Sequence, residues 1–293
     1  MSTFARLAIF GAGVIALLLI SSLLRRDRET LVRSRTLAAM FAALVLVIFL
    51  GKWAVALLCA VAARLCFDEL GNLRPERRRA VAAIGWVVGA ALLTVPLAPP
   101  GVIAPGLAAL SAIAFVAVHL GLRRPAPISG ASLAALGLHV ACGLAATIAV
   151  TAAGSEMLLA LLLLLQLNDG FAYLGGRAFG RTKLAPTISP KKSVEGAVFG
   201  AAAAGGFVLV LRTSLIPAFA GGSIVHALGV AAIVVVFGVA GDLTYSLAKR
   251  RANLKDFEAR LPGHGGLLDR IDSLLAVLPL VLPLIVALAG SAP

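Results

Sequence analysis

Ten apolar runs, separated by short polar stretches, most constrain what this sequence can fold into. They cover approximately residues 7–24, 37–51, 53–67, 80–98, 102–122, 131–153, 155–175, 196–217, 224–247 and 271–290. A helix that crosses a bilayer needs about 20 mainly apolar residues, so a 293-residue chain has room for about ten spans. Composition agrees: 60% of the residues are hydrophobic, 13% are charged, and the mean hydropathy is +1.02. Too few polar side chains remain to cover a soluble enzyme, and the apolar content excludes intrinsic disorder. The formal net charge of +13 would suit nucleic acid, but the apolar runs exclude that partner. The expected fold class is all-α, a polytopic helical membrane protein with about 9–10 transmembrane helices.

Residues 37–67 admit either one overlong helix or two shorter ones. Gly51-Lys52-Trp53 reads as a tight turn with an interfacial Trp, so two helices are expected. Charge tests that choice, because Lys and Arg gather in cytoplasmic loops. With ten spans, the loops around 25–35, 68–79, 123–130, 176–195 and 248–270 share one side. Of the 26 basic residues, only Arg6, Lys52 and Arg212 then fall at or near the other side. A single span over 37–67 would put Arg74, Arg77, Arg78 and Arg79 opposite the basic residues of 25–35. Both termini are therefore expected outside. The first apolar run ends in basic residues without a small-residue cleavage site, as a first span does. Cys59, Cys66 and Cys142 lack metal-ligand spacing and read as packing residues, as do the isolated His119, His139 and His226.

Two acids stand where the bilayer should exclude them. Asp169 follows a leucine run and precedes Arg177 by eight residues; Asp242 follows the apolar stretch 234–241 and precedes Lys249 by seven. At about 1.5 Å per residue, each lies roughly 10–12 Å inside the basic edge of its helix. Charges at that depth are costly and are either paired or functional. Pairing with a neighbouring cation or capping of backbone would account for each acid alone. Asp242 has company, however: Asp242, Ser246 and Lys249 fall at i, i+4 and i+7, on one helix face.

The segment after Lys249 and Arg250 carries Lys255, Asp256, then Gly263-His264-Gly265-Gly266, then Asp269-Arg270-Ile271-Asp272. Glycines around His264 permit close backbone approach to phosphate. Asp269 and Asp272, at i and i+3, begin the last span, where a carboxylate also serves as a simple helix cap. Carboxylates among Lys, Arg, His and Gly fit Mg²⁺ better, since it takes one or two protein carboxylates plus phosphate oxygens and water. A second such stretch follows the seventh span: Gly175-Gly176-Arg177, then Ser189-Pro190-Lys191-Lys192-Ser193-Val194-Glu195-Gly196. Lys191 and Lys192 suit topology alone, but their Gly- and Ser-rich context reads as a phosphate loop. Ser193 and Glu195 match the preference of helix starts for hydroxyls and acids.

These blocks resemble the phosphatidate cytidylyltransferase (CDP-diacylglycerol synthase) family. Its C-terminal signature matches Ser246, Lys249-Arg250, Lys255-Asp256, Pro262-Gly263-His264-Gly265-Gly266 and Asp269-Arg270-Ile271-Asp272 at the same spacing. An upstream block is similar to Asn168-Asp169-Gly170-Phe171-Ala172-Tyr173, and another to residues 189–196. The motifs span 168–272. Departures are modest: Ala248 replaces a larger apolar residue, Glu258 a small one, Val194 an aromatic, Ser193 a Thr, and Phe171 a smaller residue.

The resemblance implies conversion of CTP and phosphatidate to CDP-diacylglycerol and pyrophosphate, with Mg²⁺ and room for a second cation such as K⁺. It implies Asp242 and Asp269 as metal ligands and as catalytic residues, with Lys249 and His264. The expected substrate-binding residues are Asp169, Ser189, Lys191, Lys192, Ser246, Arg250, Lys255, Asp256, Arg270 and Asp272. It also implies a homodimer in contact with membrane lipids. The expected location is the bacterial inner (plasma) membrane, with the site facing the cytoplasm. Residues 1–153 read as a generic transmembrane scaffold. Residues 154–293 read as the catalytic region, with cytoplasmic loops 176–195 and 248–270. Two alternatives stay open, a cytidylyltransferase for another lipid phosphate and an ion-coupled transporter. The second would need polar residues in the outer halves of the spans, where this chain has few. A catalytically silent lipid-binding relative is opposed by the retained acids.

Overall fold

A computed structural model of the chain describes residues 2–24, 28–123, 128–214, 224–258 and 265–290. Side chains at 17–34, 36–37, 211–214, 226 and 288–290 lie outside that description, and so do the expectations placed on Arg212 and His226. Each of the ten apolar runs carries one helix. In chain order these are α1 (Thr3–Leu24), α2 (Arg28–Phe49), α3 (Lys52–Gly71), α4 (Arg78–Leu92) and α5 (Pro100–Leu122). They continue with α6 (Gly130–Ala153), α7 (Ser155–Phe179), α8 (Val194–Ser214), α9 (Ile224–Arg251) and α10 (Leu268–Gly290). Among the described residues, six stretches are long and apolar enough to cross a membrane: Pro75–Leu97, Pro100–Leu122, Gly130–Ala153, Ser155–Phe179, Ala227–Arg251 and Leu268–Ala287. The protein is a polytopic, all-α integral membrane protein.

The ambiguous stretch 37–67 is two helices. The chain breaks at Gly51, whose φ of 89° and ψ of −171° lie in a region open essentially to glycine alone. Beyond the break, α3 and α4 run antiparallel. Lys52 Nζ at the start of α3 donates to the Pro96 carbonyl after α4 at 2.9 Å. At the other end, Arg78 at the start of α4 donates twice to the Asp68 carboxylate, at 3.3 and 3.1 Å. Pro75 opens the turn between them at a position where its missing N–H costs nothing.

The most enclosed helix is α6, which packs against α3, α5, α7 and α10. Its Leu136, Val140, Ile148 and Val150 are fully buried, and Ser129 caps its start by accepting from Ser132 N at 3.0 Å. Lipid tails are as apolar as leucine, so close backbone approach at small residues supplies much of the helix–helix attraction in a bilayer. The contact of α7 with α8 shows this: a Cβ on Gly196 would sit 2.5 Å from the Ala172 carbonyl oxygen. That contact holds the 168–173 block against the start of α8.

Between α7 and α8 the chain forms a two-stranded antiparallel hairpin, β1 (Lys183–Ala185) and β2 (Ser189–Ser193). The stretch that reads in sequence as a phosphate loop therefore has a paired backbone. Lys183 pairs with Ser193 and Ala185 with Ser189, and the turn closes through Ile188 N to the Ala185 carbonyl at 3.2 Å. Ser193 caps α8 as expected, accepting from Gly196 N at 3.1 Å. Glu195 turns back instead, and accepts from the backbone amides of Arg181 and Thr182. The hairpin is thereby fixed at both ends on the α7–α8 junction.

Candidate active site

Four elements meet where the sequence concentrates its acids and lysines. From α9 come Asp242, Ser246 and Lys249, and the helical spacing places them on one face as expected: Ser246 Oγ donates to Asp242 Oδ1 at 3.1 Å. From β2 comes Lys192, whose Nζ lies 2.5 Å from Asp242 Oδ2. Asp169, on α7, is near enough to interact electrostatically with both Lys192 and Asp242. Asp272, on α10, interacts with Asp242, Lys249 and Lys192. Lys192 thus pairs with one carboxylate and interacts with two more, and the three come from three different helices. Exposure falls from Asp169, on the surface of the chain, through Asp242 to Asp272, which is 7% exposed.

A second group adjoins the first. Lys249 is 7% exposed and its Nζ pairs with Asp269 Oδ1 at 2.5 Å. The other oxygen of Asp269 accepts from Gly266 N at 3.0 Å and Phe257 N at 3.1 Å. Asp269 therefore ties the segment after α9 to the start of α10. Asp242 and Asp269 head separate groups, bridged by Asp272 and Lys249. Among the described residues, no three His, Cys, Asp or Glu side chains converge as a ready-made metal cage. The donor set suits a hard cation that takes few protein carboxylates and completes its shell with phosphate oxygens and water. Lys192 already holds positive charge between these carboxylates.

Other expected residues ring these groups. Arg250 links two segments, donating to the Ile188 carbonyl at 3.4 Å and to the Leu254 carbonyl at 3.0 Å. Lys191, Lys255, Asp256 and Arg270 are exposed, and Ser189 is half-buried. His264, with Pro262 and Gly263, lies outside the described residues.

Simple capping of α10 is the lesser reading of Asp269 and Asp272, beside the favoured metal and phosphate role. The capping role belongs to Glu69 of α3, which is completely buried. Its two carboxylate oxygens accept from Leu267 N and Leu268 N, each at 2.8 Å. A carboxylate here meets both the orphan amides of a helix start and the positive end of its dipole. Asn72, three residues on, donates to the Phe257 carbonyl at 2.8 Å. Sequence reasoning missed both residues. The only signal available was the Asp68-Glu69 pair at the end of an apolar run, which any solvated helix end also shows.

Two histidines read as packing residues do pack, and both do so against α9. His139 Nδ1 is 2.8 Å from the Tyr245 hydroxyl, in the interior. His119 Nε2 is 3.2 Å from Thr244 Oγ1. They hold α9, the helix that also presents Asp242 and Lys249.

Comparison with known proteins places these residues in a family. Residues 31–288 match the model of the cytidylyltransferase family. Relatives named phosphatidate cytidylyltransferase include one from Pseudomonas aeruginosa, 43% identical over 137 residues, or 47% of this chain and 50% of that protein. One from Haemophilus influenzae is 41% identical over 132 residues, 43% of this chain and 44% of that protein. One from Staphylococcus aureus is 32% identical over 253 residues, 84% of this chain and 96% of that protein. The matched stretch spans about half the length of the first two relatives and nearly all of the third. With the family pattern running from before α3 to the end of α10, through every element that supplies the site, the chain belongs to the cytidylyltransferase family.

Proposed function

We propose that this protein converts CTP and phosphatidate to CDP-diacylglycerol and pyrophosphate. The observation that carries the proposal is the Lys192–Asp242 pair, with Asp169 and Asp272 close enough to interact with it, in a cytidylyltransferase-family chain. Both substrates are anions, so the chief tasks are to position them and to offset their repulsion. An oxygen of the lipid phosphate attacks the α-phosphorus of CTP. The bond from that phosphorus to the bridging oxygen breaks, and pyrophosphate leaves with the electron pair. A phosphate monoester dianion is already a nucleophile, so no acyl intermediate and no Ser/His/Asp triad is required.

The exposed Lys191, Lys255 and Arg270, with Arg250, are proposed to meet the phosphate oxygens. Lys192 and Lys249 are the inner cations and would follow the charge as it moves from the α-phosphate toward the leaving pyrophosphate. Ser246 and Ser189 supply hydroxyl donors, Asp256 lies beside the glycine turn, and His264 is proposed to orient a phosphate or carry a proton. Mg²⁺, held by Asp242 and Asp269, would neutralise triphosphate charge, with K⁺ as a candidate second cation. The site is proposed to face the cytoplasm of a bacterial inner membrane, in a homodimer.

The test is a turnover assay on purified protein with CTP, phosphatidate and Mg²⁺. One CDP-lipid per pyrophosphate supports the assignment. Hydrolysis of CTP without lipid product, or no turnover with any lipid phosphate, overturns it.

A further inference from the structure

The α3–α4 corner makes three connections to the segment that joins α9 to α10. Glu69 takes the amides of Leu267 and Leu268, Asn72 takes the Phe257 carbonyl, and Arg78, at the start of α4, lies 3.6 Å from Glu258. Each partner is far away in sequence; Glu69 reaches across 198 residues to Leu267. That corner thus holds the segment at Phe257–Glu258 and at Leu267–Leu268 from outside the two helices it joins. Asp269, which pairs with Lys249, and Asp272, which lies beside Asp242, are carried on the helix whose first amides Glu69 receives.

The fit at Glu69 is tight and specific. Leu267 and Leu268 present two successive N–H groups, and the carboxylate meets one with each oxygen. The preceding residue is Gly266, where an added Cβ would stand 2.6 Å from Glu69 Oε2. Glycine at 266 is therefore what lets the carboxylate approach. The same Cβ would stand 3.2 Å from Asp269 Oδ2, the oxygen that accepts from Gly266 N. A carboxylate accepting two backbone amides in the interior is a strong, charge-assisted arrangement. An amide side chain of the same shape cannot reproduce it, because its NH₂ would face one of the two N–H groups.

We infer that Glu69 is a positioning residue for the proposed reaction: it sets the register of α10 so that Asp269 reaches Lys249 and Asp272 reaches the Asp242 group. The inference rests on the cytidylyltransferase reading of that site. Glu69 acts from outside the motif blocks, through backbone amides, and touches no substrate. Arg78 and Asn72 hold the outer part of the same segment. Glu258, an acid where the family signature has a small residue, is engaged by Arg78 in this chain.

The experiment compares the full-length protein with Glu69→Gln, Gly266→Ala and the double variant Gly266→Ala/Glu69→Asp. It reads kcat/KM for CTP, thermal stability, and amide hydrogen exchange over the 254–268 segment. Glu69→Gln is expected to lower kcat/KM by about tenfold, the scale of losing a support behind a site residue. Exchange in 254–268 is expected to rise while the other helices keep their protection. Gly266→Ala is expected to do the same. In the double variant, the shorter carboxylate introduced by Glu69→Asp vacates the crowded position and is expected to restore much of the loss. Parent kcat/KM and parent exchange in Glu69→Gln overturn the inference. So does a Gly266→Ala loss that Glu69→Asp leaves unrelieved. Exchange is read without substrate, so a parent protein that makes no CDP-lipid is separable as a failure of the reaction assignment.

Discussion

Lys192 Nζ, on the second strand of the hairpin, lies 2.5 Å from Asp242 Oδ2, in the middle of α9. The pair joins two motif blocks that are 50 residues apart, and it brings the hairpin down onto the acids of the helices. Both side chains are about a third exposed, 27% and 31%. The contact is therefore weak as a source of stability, about 1 kcal/mol or less. Its position among carboxylates matters more than its strength.

Removing the Lys192 ammonium should thus cost activity and leave folding nearly unchanged. Lys192→Met is expected to lower kcat/KM for CTP by about 10²–10³-fold, the range for losing a charge-stabilising donor. The melting temperature should stay close to that of the parent. A parallel loss of stability and activity would count against this role.

The two proposed metal carboxylates should separate by stability. Asp242→Asn and Asp269→Asn are both expected to abolish Mg²⁺-dependent turnover. Only Asp269→Asn should also unsettle the fold, because it deserts the buried Lys249 and the amides of Gly266 and Phe257. Breaking a buried pair by removing one partner costs about 3–5 kcal/mol. Thermal melts beside turnover assays measure both effects. Near-normal turnover in either variant would refute its metal assignment.

The helix break at Gly51 should tolerate no side chain cheaply. Its backbone region is essentially glycine's alone, so Gly51→Ala is expected to destabilise by about 1–3 kcal/mol. The position is far along the chain from the acids, so kcat in the surviving folded fraction should be unchanged. Denaturation in detergent together with specific activity tests this.

Orientation can be read with single cysteines, because native Cys59, Cys66 and Cys142 are all buried. After they are replaced, Thr187→Cys in the hairpin turn should react with an impermeant reagent only from the cytoplasmic face. Thr94→Cys, beside the Lys52–Pro96 contact, should react only from the opposite face. Labelling of both from one side would contradict the ten-span topology.

Much of the helical layout was legible in the chain itself. Apolar runs mark the helices whatever their tertiary partners, and Gly51 separates α2 from α3 by a local backbone requirement. Asp242, Ser246 and Lys249 share a face by helical periodicity alone, which the Ser246–Asp242 bond bears out. The hairpin was not legible, because the 183–193 stretch has the Ser-, Pro- and Lys-rich composition of a loop and pairs over only a few residues. Glu69 was hidden for a different reason. Its partners are backbone amides 198 and 199 residues away, and backbone amides carry no side-chain signature. Local patterns offer only Asp269 and Asp272 near the start of α10, whereas tertiary contact brings in a carboxylate from α3.

The central claim is attack of a lipid phosphate on the α-phosphorus of CTP, and label position tests it most directly. Purified protein is given phosphatidate and CTP labelled at either the α- or the γ-phosphate, and lipid and aqueous phases are then separated. The account predicts that α-label enters the lipid as CDP-diacylglycerol while γ-label stays in the water as pyrophosphate. Label from the γ-phosphate in the lipid, or α-label confined to the aqueous phase, would contradict it.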